Sequence, residues 1–207
     1  MTTINSISVE ASDPTAATAF YTTAFDLGDI IRVRHSDTLT SGFRGFALSL
    51  VVAQPADVDM FAAAARDAGA TALKPVTKSF WGYGGVVQAP DGTIWKIATS
   101  SKKNTGPATR QVDAVVLLLG VENVKATKQF YLQHGMTVAK SFGSKYVEFT
   151  AENSTIKLAL YTRQAAAKDV GIPAEGTGSH RIVINSDTGP FSDPDGFAWE
   201  TTTVHSL

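Results

Sequence analysis

Two short blocks of this sequence occur twice, in the same order. Asp13-Pro14-Thr15-Ala16-Ala17-Thr18-Ala19-Phe20-Tyr21 aligns with Asn123-Val124-Lys125-Ala126-Thr127-Lys128-Gln129-Phe130-Tyr131, and Ala89-Pro90-Asp91-Gly92-Thr93-Ile94-Trp95 aligns with Asp193-Pro194-Asp195-Gly196-Phe197-Ala198-Trp199. A repeat of this kind makes each half build the same supersecondary units. Both first blocks follow a strand: Ile4 to Val9 alternates with period two, and Val112 to Leu119 is a run suited to burial on both faces. Asp13 can cap the following helix with Pro14 at its first position, and the Phe-Tyr pair arrives about two turns later, facing the sheet. Asp-Gly between two apolar runs marks a tight hairpin in the second block. The polar stretch Ser100 to Arg110 holds Gly and Pro and reads as a connection, so the chain divides into 1–100, a linker at 101–111, and 112–207.

Within the first half, Phe46 to Val52 reads as a strand and Asp57 to Ala68 as an Ala-rich helix ended by Gly69, with a closing hairpin from Gly85 to Gln88 and Thr93 to Ala98. The second half supplies strands at Thr137 to Phe142, Tyr146 to Thr150, Ile156 to Tyr161 and Arg181 to Asn185, and a short helix near Gln164 to Val170. Strands and helices interleave, an α+β arrangement.

Bulk properties remove several functional classes. At 207 residues the chain can bury a core without metal or disulfide staples. Lys and Arg number 18 against 19 Asp and Glu, with no run of like charge, so no nucleic-acid partner is expected. The absence of cysteine removes disulfides, thiolate metal sites and cysteine nucleophiles, and fits a reducing compartment. The N-terminus has neither a basic start nor an unbroken hydrophobic run, and the longest apolar stretch, Ala114 to Leu119, is far short of the roughly 20 residues that span a bilayer. These features predict a soluble, cytoplasmic protein with no membrane partner.

The duplicated Phe-Tyr helix and Pro-Asp-Gly hairpin together resemble the vicinal oxygen chelate superfamily, the glyoxalase, bleomycin-resistance and dioxygenase-like proteins. The resemblance covers nearly the whole chain. It implies tandem βαβββ units forming two glyoxalase-like lobes, with curved mixed sheets that enclose cups around a small-molecule ligand. Each half resembles two units, the first truncated around Arg34 to Ser41 and the fourth with no room for its helix. In metal-using members the ligands are His or Gln on a unit's first strand and Glu near the end of its last, and the divalent metal polarises a carbonyl or binds oxygen. At the corresponding positions this chain has Ser6 and Val116, and Lys96 in place of a Glu. The second half differs: His180 opens a matching strand, and Glu200 falls at the acidic position. The resemblance thus implies an incomplete metal set of His180 and Glu200, open to completion by Glu148 or a homodimer partner. Without metal, the same pair reads as a catalytic acid and base.

The residues also suggest binding groups. The loop Lys78 to Gly85 concentrates Phe80, Trp81 and Tyr83 among glycines, a composition suited to stacking on a planar ligand. Lys96 shares Glu200's parity in its own repeat and should project into a cup, toward an anionic ligand or out to water. Ser6, Ser8 and Glu10 share one face of the first strand and can line the cup that the aromatic loop edges. Trp95 and Trp199, of opposite parity, should pack beneath the Phe-Tyr helices, while His35, His134 and His205 read as solvated. There is no Gly-Lys-Ser/Thr phosphate loop and no Ser-His-Asp ordering.

The expectation is a glyoxalase-like protein that binds a small molecule, sequestering an aromatic metabolite or antibiotic with no metal or other cofactor. The enzymatic alternative is a lyase, dioxygenase or isomerase acting through His180 and Glu200. A third reading is an interaction module with filled cups. A monomer and a homodimer fit equally, since fused repeats can satisfy internally the pairing that shorter relatives reach as dimers.

Overall fold

In the computed structural model, which describes residues 2–151 and 154–202, each repeated block forms the element its residues favour. The first unit is β1 (Ile4–Ala11), α1 (Pro14–Ala24) and β2 (Ile31–His35), followed by β3 (Thr40–Gly42). The second is β4 (Phe46–Val51), α2 (Pro55–Asp67), β5 (Thr71–Ser79), β6 (Gly82–Gln88) and β7 (Ile94–Thr99). The third is β8 (Ala114–Val121), α3 (Val124–Gln133), β9 (Val138–Phe142), β10 (Tyr146–Phe149) and β11 (Ile156–Thr162). Then come α4 (Arg163–Val170) and β12 (Gly176–Gly178), and the fourth unit is β13 (Ile182–Ser186), β14 (Phe191–Ser192) and β15 (Ala198–Thr201). Asp13 accepts from the Ala16 amide, and Asn123 from those of Lys125 and Ala126, so both Phe-Tyr helices open with amides satisfied by a side-chain oxygen.

The strands form an eight-stranded sheet, β5-β6-β7-β4-β8-β11-β10-β9, and a five-stranded sheet, β14-β15-β13-β1-β2, with β3 and β12 as a small ribbon. In every unit the first strand runs parallel to the last: β1 with β2, β4 with β7, β8 with β11, β13 with β15. This regularity locates the deletions. In the first unit β2 occupies the place of a last strand, and only residues 25–30 separate it from α1. Both middle strands are therefore missing, and the truncation lies before Arg34 instead of at Arg34 to Ser41. The fourth unit passes from β13 to β14 through residues 187–190, with no helix and one middle strand fewer.

Both sheets join strands from the two sides of segment 101–111: β4 pairs antiparallel with β8, and β1 with β13. The segment itself is tied down. Gln54, at the start of α2, accepts from the Thr105 and Gly106 amides at 2.7 and 3.1 Å and donates to the Pro107 carbonyl, while Asp57 accepts from the Thr109 amide at 2.7 Å.

The core lies between the sheets, where α1 and α3 are held. Trp95 of the large sheet packs on Tyr21 and Phe25 of α1, with ring centroids 5.9 and 4.7 Å apart. Trp199 of the small sheet packs on Tyr131 of α3 at 5.4 Å, and Tyr131 reaches Phe149 of the large sheet at 5.6 Å. The repeated blocks also meet through hydrogen bonds, Tyr21 donating to Asp91 (2.7 Å) and Tyr131 to Asp193 (2.6 Å). No described helix is long and apolar enough to cross a membrane.

Candidate functional site

On the open face of the large sheet, one row in register runs Val86, Lys96, Ser49, Val116, Lys157 across β6, β7, β4, β8 and β11. Helix α4 covers the apolar part of this face, setting Ala166, Ala167 and Val170 among Ala47, Leu118 and Ala159. Close approach requires small residues: a Cβ on Gly120 would come 3.0 Å from that of Ala166.

The part that α4 leaves open is a cavity of about 590 Å³ between β5, β6, β7 and the C-terminal end of α4. Gly84, Ala98 and Val51 give it a flat apolar wall. At its inner end Lys74 and Lys96 lie on either side of Val86. Lys96 Nζ donates to both oxygens of Asp169, at 3.1 and 2.9 Å. Lys74 Nζ donates to the carbonyls of Lys168 and Asp169, where the helix end leaves acceptors free and a cation is favoured.

Trp81 borders the cavity mouth at the β5–β6 turn and is 83% exposed. Phe80 stands edge-on to it at 5.0 Å, turned outward beneath the Lys102 ammonium, and does not line the cavity. Tyr83 has the opposite parity to Lys96, and its hydroxyl donates to Asp59 of α2 at 2.8 Å. Its ring therefore sits on the helix side of the sheet, and its backbone borders the cavity. Of the expected stacking residues, the structure brings only Trp81 to the same cavity as Lys96.

Ser6, Ser8 and Glu10 lie on the small sheet, opposite Asn185 of β13 and Arg34 of β2. Arg34 donates to Glu10 from Nε and Nη2 (2.9 and 2.7 Å) and to Glu200 from Nη1 (2.9 Å). Ser8 accepts from Asn185 at 2.9 Å, and the buried Ser6 hydroxyl has no partner among the described residues.

His180 does not join this group. The register sets Glu200 opposite Asn185, well along β13 from His180. The His180 ring stacks on Phe197 at 3.9 Å, and its two nitrogens face the carbonyls of Arg44 and Asp195, which leaves neither aimed at a shared site. Glu148 is on the other sheet and accepts from Tyr146 at 2.7 Å. His35 is exposed beside Asp37, but His134 is half-buried between Phe130 and Phe191 instead of solvated, because its ring completes an aromatic stack. His205 lies outside the described residues.

A divalent metal does not fit these donors. Among the described residues no three His, Asp or Glu side chains converge as a metal set. On the small sheet the Arg34 guanidinium already lies between Glu10 and Glu200, so an incoming dication would meet like charge there. The large sheet's row carries two lysines. We therefore expect Mn, Co, Ni and Zn ions to leave the melting temperature unchanged. Arg34→Gln should cost about 1 kcal/mol, the value of a partly exposed pair, and make melting respond to these ions. A shift in the natural protein that disappears in Glu200→Gln would restore the metal reading.

Sequence reasoning misses Arg34, Lys74 and Asp169, although Arg34 and Asp169 each carry a signal. Arg32 and Arg34 alternate in Ile31-Arg32-Val33-Arg34, which places both on one strand face. Asp169 stands at a helix C-terminus, where a carboxylate is unfavourable unless something else holds it.

No family model and no curated protein matches this chain. Solved structures do match it. Glyoxalase I from Zea mays aligns with a TM-score of 0.61 and 14% identity, over 96% of this chain and 91% of that one. A putative dioxygenase from Bacillus subtilis aligns with a TM-score of 0.57 and 14% identity, over 88% of this chain and 69% of that one. The fold is the two-lobed glyoxalase fold. Within it the shortened first and fourth units pair with each other, so every deletion falls on the small sheet. The cavity-bearing large sheet keeps two complete βαβββ units of the glyoxalase fold.

Proposed function

We propose that this protein captures a small planar molecule, an aromatic metabolite or antibiotic, without metal, in the cavity between β5, β6, β7 and α4. The observation that carries the reading is the cavity itself. Its volume of about 590 Å³ falls in the range of small-molecule pockets, its walls are largely apolar, and three charged groups converge at one end. Gly84 and Ala98 leave a flat surface for a ring, and Trp81 stands at the mouth where it can close over one. The enzymatic alternative through His180 and Glu200 lacks a comparable basis, since the two side chains are committed to different partners.

The test is calorimetric titration with a panel of planar aromatic compounds against the natural protein and Trp81→Ala. Loss of the indole should weaken a binder by about 1 to 3 kcal/mol, as for aromatic platforms elsewhere, with the melting temperature nearly unchanged. Equal affinities would mean that Trp81 does not cover the ligand. A panel with no binder would count against the cavity reading.

A further inference from the structure

We infer that the ligand of this cavity is an anion, a planar aromatic carboxylate whose charged end is taken by Lys74 and Lys96. The inference rests on the proposed cavity and adds the charge of what enters it.

The argument starts from the donors. Each lysine ammonium has three N–H groups and no acceptor. Lys74 uses two on the carbonyls of Lys168 and Asp169, and Lys96 uses two on the oxygens of Asp169. One N–H remains on each, and the two chains rise side by side across Val86. Formal charge points the same way. Lys74, Lys96 and Asp169 are the charged residues that line the cavity, two cations against one carboxylate.

The carboxylate that is present is also weakly held. Asp169 lies beyond the middle of α4, close to its C-terminal end, where the carbonyl dipoles oppose negative charge. The Lys96 and Asp169 side chains are 35% and 31% exposed, and a pair so open to water is readily exchanged. A ligand carboxylate can thus add to the free N–H groups or take Asp169's place, while its ring lies on Val51, Gly84 and Ala98.

The experiment is calorimetric titration with 2-naphthoate and its uncharged isostere 2-naphthamide, using the natural protein, Lys96→Met and Asp169→Asn. The natural protein should prefer naphthoate to naphthamide at least tenfold. Lys96→Met should bring the two within about twofold while still binding the amide, which shows that the cavity has survived. Asp169→Asn, by removing the internal competitor, should tighten naphthoate several-fold and leave the amide unchanged. Equal binding of the two probes by the natural protein, or weaker naphthoate binding in Asp169→Asn, would overturn the charge assignment and leave the cavity reading standing. Binding of neither probe would overturn both.

Discussion

Trp199→Ala is expected to destabilise the protein by roughly 3 to 5 kcal/mol, the usual cost of deleting a large buried aromatic. Trp199 is 1% exposed, stacks on Phe191 at 5.1 Å, packs at a tilt against Tyr131 at 5.4 Å, and donates from Nε1 to the Tyr131 hydroxyl at 3.2 Å. Its loss therefore opens a cavity and removes a hydrogen bond at the point where α3 joins the small sheet to the large one. Since a domain's total stability is on the order of 5 to 15 kcal/mol, the variant should unfold at a much lower urea concentration and be close to unfolded at elevated temperature. Trp95→Ala, fully buried against Tyr21 and Phe25, should fall in the same range. Urea midpoints for both variants decide this. A shift under about 1 kcal/mol in either would mean that the repeated tryptophans are not what fastens the helices to the sheets.

The same contacts explain why so much of the fold was readable from the sequence. The two blocks that repeat are the parts of each half that touch each other: the Phe-Tyr helix lies on the hairpin tryptophan, and the tyrosine hydroxyl bonds to an aspartate of that hairpin. Strand parity separated Trp95 from Lys96 for the same reason, because neighbours along a strand face opposite ways. What a local pattern does not contain is the choice of distant partner. Nothing in residues 4–11 specifies that β1 pairs with β13, or that β4 pairs with β8, so the polar network around Arg34 was invisible until strands from both halves were brought together. His180 and Glu200 look like a pair in a list of ligand types, but the register of β13 on β15 decides that Asn185, and not His180, is opposite Glu200. The glycines around Tyr83 make its segment read as a loop in the sequence. Once β6 begins at Gly82, its parity sends the ring to α2.

Stability should fall above pH 10, because all five tyrosines are held above their ordinary value, with Tyr21 and Tyr131 the most deeply buried of them. Burial, reinforced by Asp91 beside Tyr21 and by Asp193 beside Tyr131, pushes both phenols well above their ordinary value of 10.0. In the unfolded chain each loses its proton near pH 10, whereas the folded protein retains it. The unfolded state then binds fewer protons than the native state, and stability declines as pH rises. Between its unfolded and its folded value each tyrosine contributes a slope of up to about 1.4 kcal/mol per pH unit. Asp193 has the same sign in acid: burial raises its carboxyl above 3.8, so its contribution is greatest at low pH and is lost as pH climbs through the folded value. Denaturation curves at pH 7, 10, 11 and 12 for the natural protein and for Tyr21→Phe/Tyr131→Phe separate these effects. At pH 7 the double variant should be weaker by about 1 to 3 kcal/mol per site, because Asp91 and Asp193 each lose a hydroxyl donor. Between pH 10 and 12 it should lose stability much more slowly, so the two curves converge. Parallel curves would mean that the native tyrosines ionise as freely as those of an unfolded chain, and would overturn the assignment.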